Sequence, residues 1–279
     1  MDKCTDILDK VSYHAVYTSS IMEALRFAQA NGFAGIRLAV ESPHLSFERL
    51  TEEDIEEIAE FLKLHKLYIS IHTPDEATSL FQCSSYLKEG IINYFRGVFT
   101  FARRVNAKII TVHAGKRTEF LTAIEPVRRI PTEDVAIYEK EFRDNLELLL
   151  EISGGEFILC IENYGFDAQL QTLLQPYLQR QDIFLCWDLA KSYAKPDQED
   201  FILANLESVR QVHLHDVGFD RCGNRRSHLL PGTGAIDFNH YFTMLSKSRV
   251  LDYCIEVRPA EKARESLVVL NNMLKNLFI

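Results

Sequence analysis

Short apolar runs alternate along the chain with segments whose apolar residues recur at helical spacing. The strand-like runs fall at 10–15, 34–40, 67–72, 107–113, 157–162, 182–188, 209–215 and 252–256. Helix-like segments follow them at 18–31, 52–65, 84–106, 133–154, 167–180, 198–207, 237–247 and 261–276. In the second of these, Ile55, Ile58, Phe61 and Leu62 form one stripe. Thr51 before Glu52 and Glu53, and Thr132 before Glu133 and Asp134, have the pattern of helix N-caps: a short acceptor meets unpaired N–H groups, and acids favour the positive helix end. Strand–helix units in this number, with no spare element, predict an α/β fold, a closed (β/α)8 TIM barrel occupying 1–279 as one domain. An open doubly wound sheet uses the same alternation, but the turn after its first strand carries glycines, and here that segment reads SYHAVYTSS. Two connections are longer than the rest, GKRTEFLTAIEPVRRIPTED at 115–134 and DVGFDRCGNRRSHLLPGTGAID at 216–237. Both leave the C-terminal end of a strand, where barrels of this kind hold substrate.

The ends of the apolar runs carry the chemistry. Six runs finish on His72, His113, Glu162, Asp188, His213 and Glu256. A barrel gathers strand ends on one rim, where buried carboxylates and imidazoles are expensive unless something binds them. Glu162, Asp188, His213 and Glu256 offer carboxylate oxygens and an imidazole nitrogen, a donor set suited to Mn, Zn or Co and less well to Mg. His72 and His113 would complete a second metal position sharing Glu162. The competing reading is a ring of hydrogen-bonded polar groups without a metal. It leaves Glu162, Asp188 and Glu256 close together with uncompensated charge, or forces protonation.

Other residues are candidates for contact with a ligand. Gly232 and Gly234 permit tight turns in SHLLPGTG, which places His228 over the mouth. His215 shares a strand face with His213, and Asp216 is either an acceptor behind the ligands or a solvated loop acid. Lys191, Glu41 and Arg258 could each hold a hydroxyl, carboxylate or phosphate, or form a rim salt bridge. Trp187 is expected in the core, and Tyr164 and Tyr193 against the pocket or covering the rim.

Bulk properties narrow the setting. No apolar run is long enough to span a membrane. MDKCTDILDK lacks the basic-then-apolar order of a secretory signal, and the six cysteines form no CxxC pair. A reduced, cytoplasmic protein is expected. The formal charge of -9 disfavours an extended nucleic-acid surface, while RCGNRR at 221–226 is a local basic stretch or a solvated loop.

The pieces IHTP (71–74), VHAG (112–115), IEN (161–163), WDLAKSYA (187–194), VHLHD (212–216), HLLPGTG (228–234) and IEVRP (255–259) resemble the xylose-isomerase-like TIM barrel superfamily. Its members include sugar isomerases and epimerases, inosose dehydratases and endonuclease IV. In the ketose epimerases one metal is held by the counterparts of Glu162, Asp188, His213 and Glu256, and the two glutamates exchange protons with substrate carbons. Endonuclease IV carries three zinc ions; the resemblance maps its ligands onto His72, His113, Glu162, Asp188, His213, His228 and Glu256. Lys191 and Arg226 stand where that enzyme has a histidine and an aspartate of the third site, and two cations there repel a metal. The epimerases commonly have arginine at His228 and histidine at Lys191.

The resemblance therefore implies a divalent-metal-dependent isomerase or epimerase of a small sugar or polyhydroxy carbonyl compound, working through a metal-stabilised ene-diolate. Glu162 and Glu256 would move protons, Lys191 or His228 would hold the oxygen that changes charge, and Glu41, His215, Arg226 and Arg258 would contact substrate. One divalent ion, with room for a second, is the expected cofactor; a polyol or sugar and a second copy of the chain are the expected partners. The rival expectations are an endonuclease IV-like phosphodiesterase, an inosose-dehydratase-like lyase and a non-catalytic sugar-binding barrel.

Overall fold

The computed structural model describes residues 3–75, 77–121, 123 and 127–278. Eight parallel strands close on themselves: β1 (Val11–Ala15), β2 (Gly35–Ala39), β3 (Tyr68–His72), β4 (Ile109–His113), β5 (Ile158–Glu162), β6 (Phe184–Asp188), β7 (Val209–Leu214) and β8 (Asp252–Ile255). Each pairs with its neighbours in sequence, and β8 returns to β1. The strand alternation explains the two-sided polarity of these segments. Ile36, Leu38, Ile69, Ile71, Leu185 and Trp187 point out to the helices and join the main apolar core. The intervening positions point into the barrel and are largely polar. The register then sets these residues level in pairs: His113 with Glu162 across β4 and β5, and Asp188 with His213 across β6 and β7.

The helices follow as their periodicity predicts. Helix Glu52–His65 begins with a capping box, in which Thr51 and Asp54 each accept from the other's backbone N–H. Thr132 differs from expectation. It is the first residue of helix Thr132–Ser153, Pro131 holds the cap position, and no side chain caps this end. A short helix, Lys3–Leu8, is an additional element; it buries Cys4 and Ile7 on the barrel. The segment after β6 is broken into Leu189–Ser192 and Pro196–Ala204, because Pro196 suits a first turn and cannot continue a preceding helix. No helix is long and apolar enough to cross a membrane among the described residues.

Both long connections contain antiparallel pairs. Phe120–Leu121 pairs with Arg128–Arg129 after β4, and residues 122 and 124–126 of that connection lie outside the described residues. After β7, Asp216–Phe219 pairs with Arg225–Leu229. Its turn is held by Asp220, whose carboxylate accepts the N–H groups of Cys222 and Asn224. The exposed stretch RRSHL has no apolar alternation, so this hairpin leaves little hydrophobic signature.

The floor beneath the site is also polar, and it is satisfied. Buried Asp252 accepts from Ser12, Tyr68, Ser70 and Gln211, and Thr111 donates to Gln211. A fully partnered network of this kind fixes the relative position of five strands without leaving a bare buried charge.

Candidate functional site

Glu162, at the end of β5, is the hub of the rim. Its side chain is 1% exposed. His72 Nε2 and His113 Nε2 lie 3.1 and 3.0 Å from one oxygen, Oε2, and both donate to it. The Lys191 ammonium donates to the other oxygen and stands 3.4 Å from Asp188 Oδ2. Burial raises the pKa of Glu162, but Lys191, His213 and His113 outweigh it and hold the carboxyl well below the usual range. His72 feels the reverse balance. Burial and Arg37 oppose its protonation, yet hydrogen bonding to Glu162 and Glu41 leaves its pKa raised.

Glu256, just past β8, faces Glu162 across the mouth. Arg37 projects from the middle of β2 and donates to Glu256 Oε1, with both side chains nearly inaccessible. His213 Nδ1 and His14 Nδ1 stand 3.5 and 3.7 Å from that oxygen. Against the effect of burial, Arg37, His213 and His14 keep Glu256 well below the ordinary carboxylate range. His14 accepts from Arg258 at 3.0 Å; burial first, then Arg37, lowers its own pKa well below the usual value.

Asp188 forms the third corner. Its carboxylate caps the turn Leu189–Ser192 by accepting from Lys191 N–H, and lies 3.3 Å from His215 Nε2. Burial opposes ionisation, but His215 and Lys191 bring Asp188 down to about 2. His228 N–H donates to His215 Nδ1, so that nitrogen carries a lone pair and Nε2 carries the proton directed at Asp188. The rings of His215 and His228 stack with centroids 4.2 Å apart. His228 itself is at φ 57°, a costly conformation for a side chain of this size, and is tied by Nδ1 to the Glu256 carbonyl at 2.8 Å. Asp216 lies behind these residues and is fully buried. It accepts from the N–H groups of Val217, Gly234 and Ile236, and so clamps the SHLLPGTG segment to the barrel.

These residues fit a divalent cation. His213 Nδ1 is buried without a hydrogen-bond partner among the described residues, 3.5 Å from Glu162 Oε2 and 3.5 Å from Glu256 Oε1. The ring is oriented by its other nitrogen, Nε2, 3.1 Å from Cys186 Sγ. Ligand atoms of Asp188, His213 and Glu256 lie within 4.8 Å of one another, as do those of Glu162, Cys186 and His213, and of His72, His113 and Glu162. Charge points the same way. Glu41, Asp75, Glu162, Asp188 and Glu256 face Arg37, Lys191 and Arg258, an excess of two negative charges before any histidine is counted. A divalent cation neutralises that excess.

A cavity of about 230 Å³ opens on the cluster, lined by Glu41, His72, His113, Glu162, Lys191, His228, Glu256 and Arg258, with His14, Arg37 and Asp75. The structure thus brings eight of the sequence-derived candidates to one cavity, with Asp188, His213 and His215 in contact with them. Arg226 is not among them: it lies exposed on the hairpin opposite Gly218, and Arg225 is the arginine that turns inward, donating to the Ala190 carbonyl. Trp187 is buried, donates to Ser192 Oγ and meets Tyr241 edge-on. Tyr164 stacks on His113 with centroids 5.0 Å apart. His14, Arg37, Asp75 and Cys186 were not anticipated. Arg37 had a signal, a charged residue inside the apolar run GIRLAV, and His14 is an ionisable residue one position before the end of the run 10–15. Cys186 shares a strand face with Asp188 and reads as filler unless the partner ring is known.

Fold and rim together define a parallel barrel with a chelating cluster at the C-terminal ends of its strands. The chain belongs to the family described as Xylose isomerase-like TIM barrel, which matches residues 25–273. A curated relative, an uncharacterized protein of Methanocaldococcus jannaschii, is 26% identical over 209 residues, 72% of this chain and 68% of its own. Among solved structures, a D-tagatose 3-epimerase-like protein superposes with a TM-score of 0.74 at 15% identity, covering 96% of this chain and 98% of that one. Endonuclease IV from Thermus thermophilus gives a TM-score of 0.67 at 18% identity, covering 96% of this chain and 99% of that one. At these identities the likeness is one of fold.

Proposed function

We propose that the protein is a divalent-metal-dependent isomerase or epimerase of a small sugar or polyhydroxy carbonyl compound. The observation that carries the reading is the buried His213 Nδ1, without a hydrogen-bond partner among the described residues and 3.5 Å from a carboxylate oxygen of each of Glu162 and Glu256. Glu162, Asp188, His213 and Glu256 would hold the cation, which supplies stabilisation of negative charge on adjacent substrate oxygens. The chain's residues do the rest. Glu162 and Glu256 are both held ionised, so either can accept a proton from a carbon placed between them. Return of the proton to the neighbouring carbon isomerises the substrate, and return to the same carbon from the opposite face, by the other glutamate, inverts that centre. Half-buried His228, held by its Nδ1 at the Glu256 carbonyl, stands at the mouth where it would hold a substrate oxygen. Lys191, at Glu162 and Asp188, places a positive charge where a substrate oxygen gains negative charge. Glu41 and Arg258 line the mouth, suited to hydroxyl groups. The similarity to an epimerase-like barrel supports this reading.

The experiment is solvent-deuterium incorporation into D-tagatose, D-psicose and related ketoses with Mn added, followed by NMR. Exchange next to the carbonyl is expected. Glu162→Gln and Glu256→Gln should each lower it by about a hundredfold or more. Unchanged exchange in either variant refutes the two-glutamate scheme.

A second reading, metal-dependent phosphoester hydrolysis, is favoured by one observation: His72 and His113 meet on one oxygen of Glu162, a group that could hold a second ion while sharing Glu162 with the first. It predicts two bound ions per chain and cleavage of an abasic-site duplex.

A further inference from the structure

A second and larger cavity, about 570 Å³, adjoins the cluster on the side of β4 to β7. Lys191 lines both, so the two spaces share a wall. The linings have opposite character. Around the larger cavity stand Lys116, Arg117, Lys191, Lys195 and Arg225 against two carboxylates, Glu119 and Asp167. Among the described residues this is a local positive excess, in a chain whose formal charge is -9. The charge of Lys191 is met by Glu162, and that of Arg117 by Asp167. Lys195 and Arg225 have no carboxylate within ion-pair distance among the described residues; Arg225 is instead anchored by the Ala190 carbonyl, which holds its guanidinium at the wall. Lys116 and Lys191 lie over the Tyr164 ring at 5.4 and 5.1 Å, and that ring stacks on the ligand candidate His113. Like charges gathered around one hollow repel, and an anion there removes the repulsion. Ser227 and the backbone at Gly165 add small polar wall.

We infer that this annex receives the phosphate of a phosphorylated substrate, so that the sugar acted on at the rim is a ketose phosphate monoester. The inference rests on the proposed isomerase or epimerase reading for its sugar portion. A phosphate dianion matches several converging cations better than a singly charged carboxylate does, and arginine binds it by paired N–H groups. The shared wall at Lys191 lets one small molecule reach from the annex to the carboxylates. Binding energy gained at the annex positions the reacting carbons without touching them.

The test uses the full chain and inorganic phosphate, followed by calorimetry, with the double variant Lys195→Gln/Arg225→Gln. Both residues are exposed and outside the chelating cluster, and urea unfolding checks that the variant is folded. Saturable phosphate binding is expected, weakened at least about tenfold in the double variant, as loss of charge-assisted hydrogen bonds implies. Manganese binding should be unchanged. Absence of saturable binding, or equal affinity in the variant, overturns the inference. So does tight binding of a short duplex oligodeoxynucleotide that phosphate does not displace, since a diester track is then the better account. The outcome is separable from the reaction. If phosphate binds as expected but neither the free ketoses nor their phosphate monoesters exchange deuterium, the annex stands and the isomerase reading falls. If ketoses exchange and phosphate does not bind, the annex alone falls.

Discussion

Arg37→Met is the substitution with the most sharply defined consequence. Arg37 is 2% exposed and Glu256 5% exposed, and the guanidinium donates directly to Glu256 Oε1. Once it is gone, the nearest side-chain nitrogens around Glu256 belong to His213 at 3.5 Å, His14 and His215 at 3.7 Å, and His228 at 3.9 Å. None of these is a good hydrogen bond, so a buried carboxylate loses its main partner. Breaking a buried pair by removing one member costs about 3–5 kcal/mol. Methionine fills much of the arginine's stem volume, so a cavity adds little to that loss. Urea unfolding reports the change through Trp187, the single tryptophan of the chain and fully buried. The expected loss is about 3–5 kcal/mol in chelator-treated protein. In Arg37→Met/Glu256→Gln the charge is removed along with its partner, and about 2 kcal/mol or more should return. A loss below about 1 kcal/mol, or a double variant no more stable than the sum of the singles, refutes the reasoning that Arg37 is there to compensate Glu256.

Three further outcomes follow from the same geometry. Asp188 is depressed from 3.8 to about 2 in the folded chain, so its contribution to stability is complete above pH 4 and is lost as the pH falls towards 2; it amounts to roughly 2 kcal/mol, and Asp188→Asn should flatten that part of the stability profile in chelator-treated protein. Cys186→Ala removes the sulfur that orients His213 and should weaken manganese binding about tenfold while the fold persists; an unchanged affinity means that the ring needs no such support. Glu162→Gln should abolish ketose deuterium exchange far more completely than it lowers stability, and a proportionate fall in both would make its role structural.

The barrel was legible because two periodicities are written over one another. Runs such as FILCIE and IFLCWD have the length of one strand, end on one ionisable group and are followed by an amphipathic helix; the observed strands Ile158–Glu162 and Phe184–Asp188 begin one or two residues later than those readings and end on the same acids. The cluster was legible from its tips for the same reason, since the register puts His113 level with Glu162 and Asp188 level with His213, with Glu162 opposite Cys186, two residues before Asp188. What escaped lies one layer down or in a different kind of structure. Arg37 and Cys186 occupy strand interiors, where attention to run ends misses them, and only closure of the barrel brings Arg37 to Glu256 from the far end of the chain. Arg225 and Arg226 are adjacent, and which one turns inward is decided by the register of a polar hairpin with no apolar face to announce it. Thr132 has the pattern of a cap because Glu133 and Asp134 follow it, but Pro131 holds the cap position and the helix starts one residue earlier than that pattern implies.

Every role assigned to the rim depends on a cation drawn to it, and calorimetric titration of the chelator-treated full chain with manganese and zinc tests this most directly. Saturable binding of at least one ion per chain is predicted, lost or severely weakened in His213→Ala and in Asp188→Asn, with both variants remaining folded. Failure of either metal to bind, or binding that survives both substitutions unchanged, contradicts it.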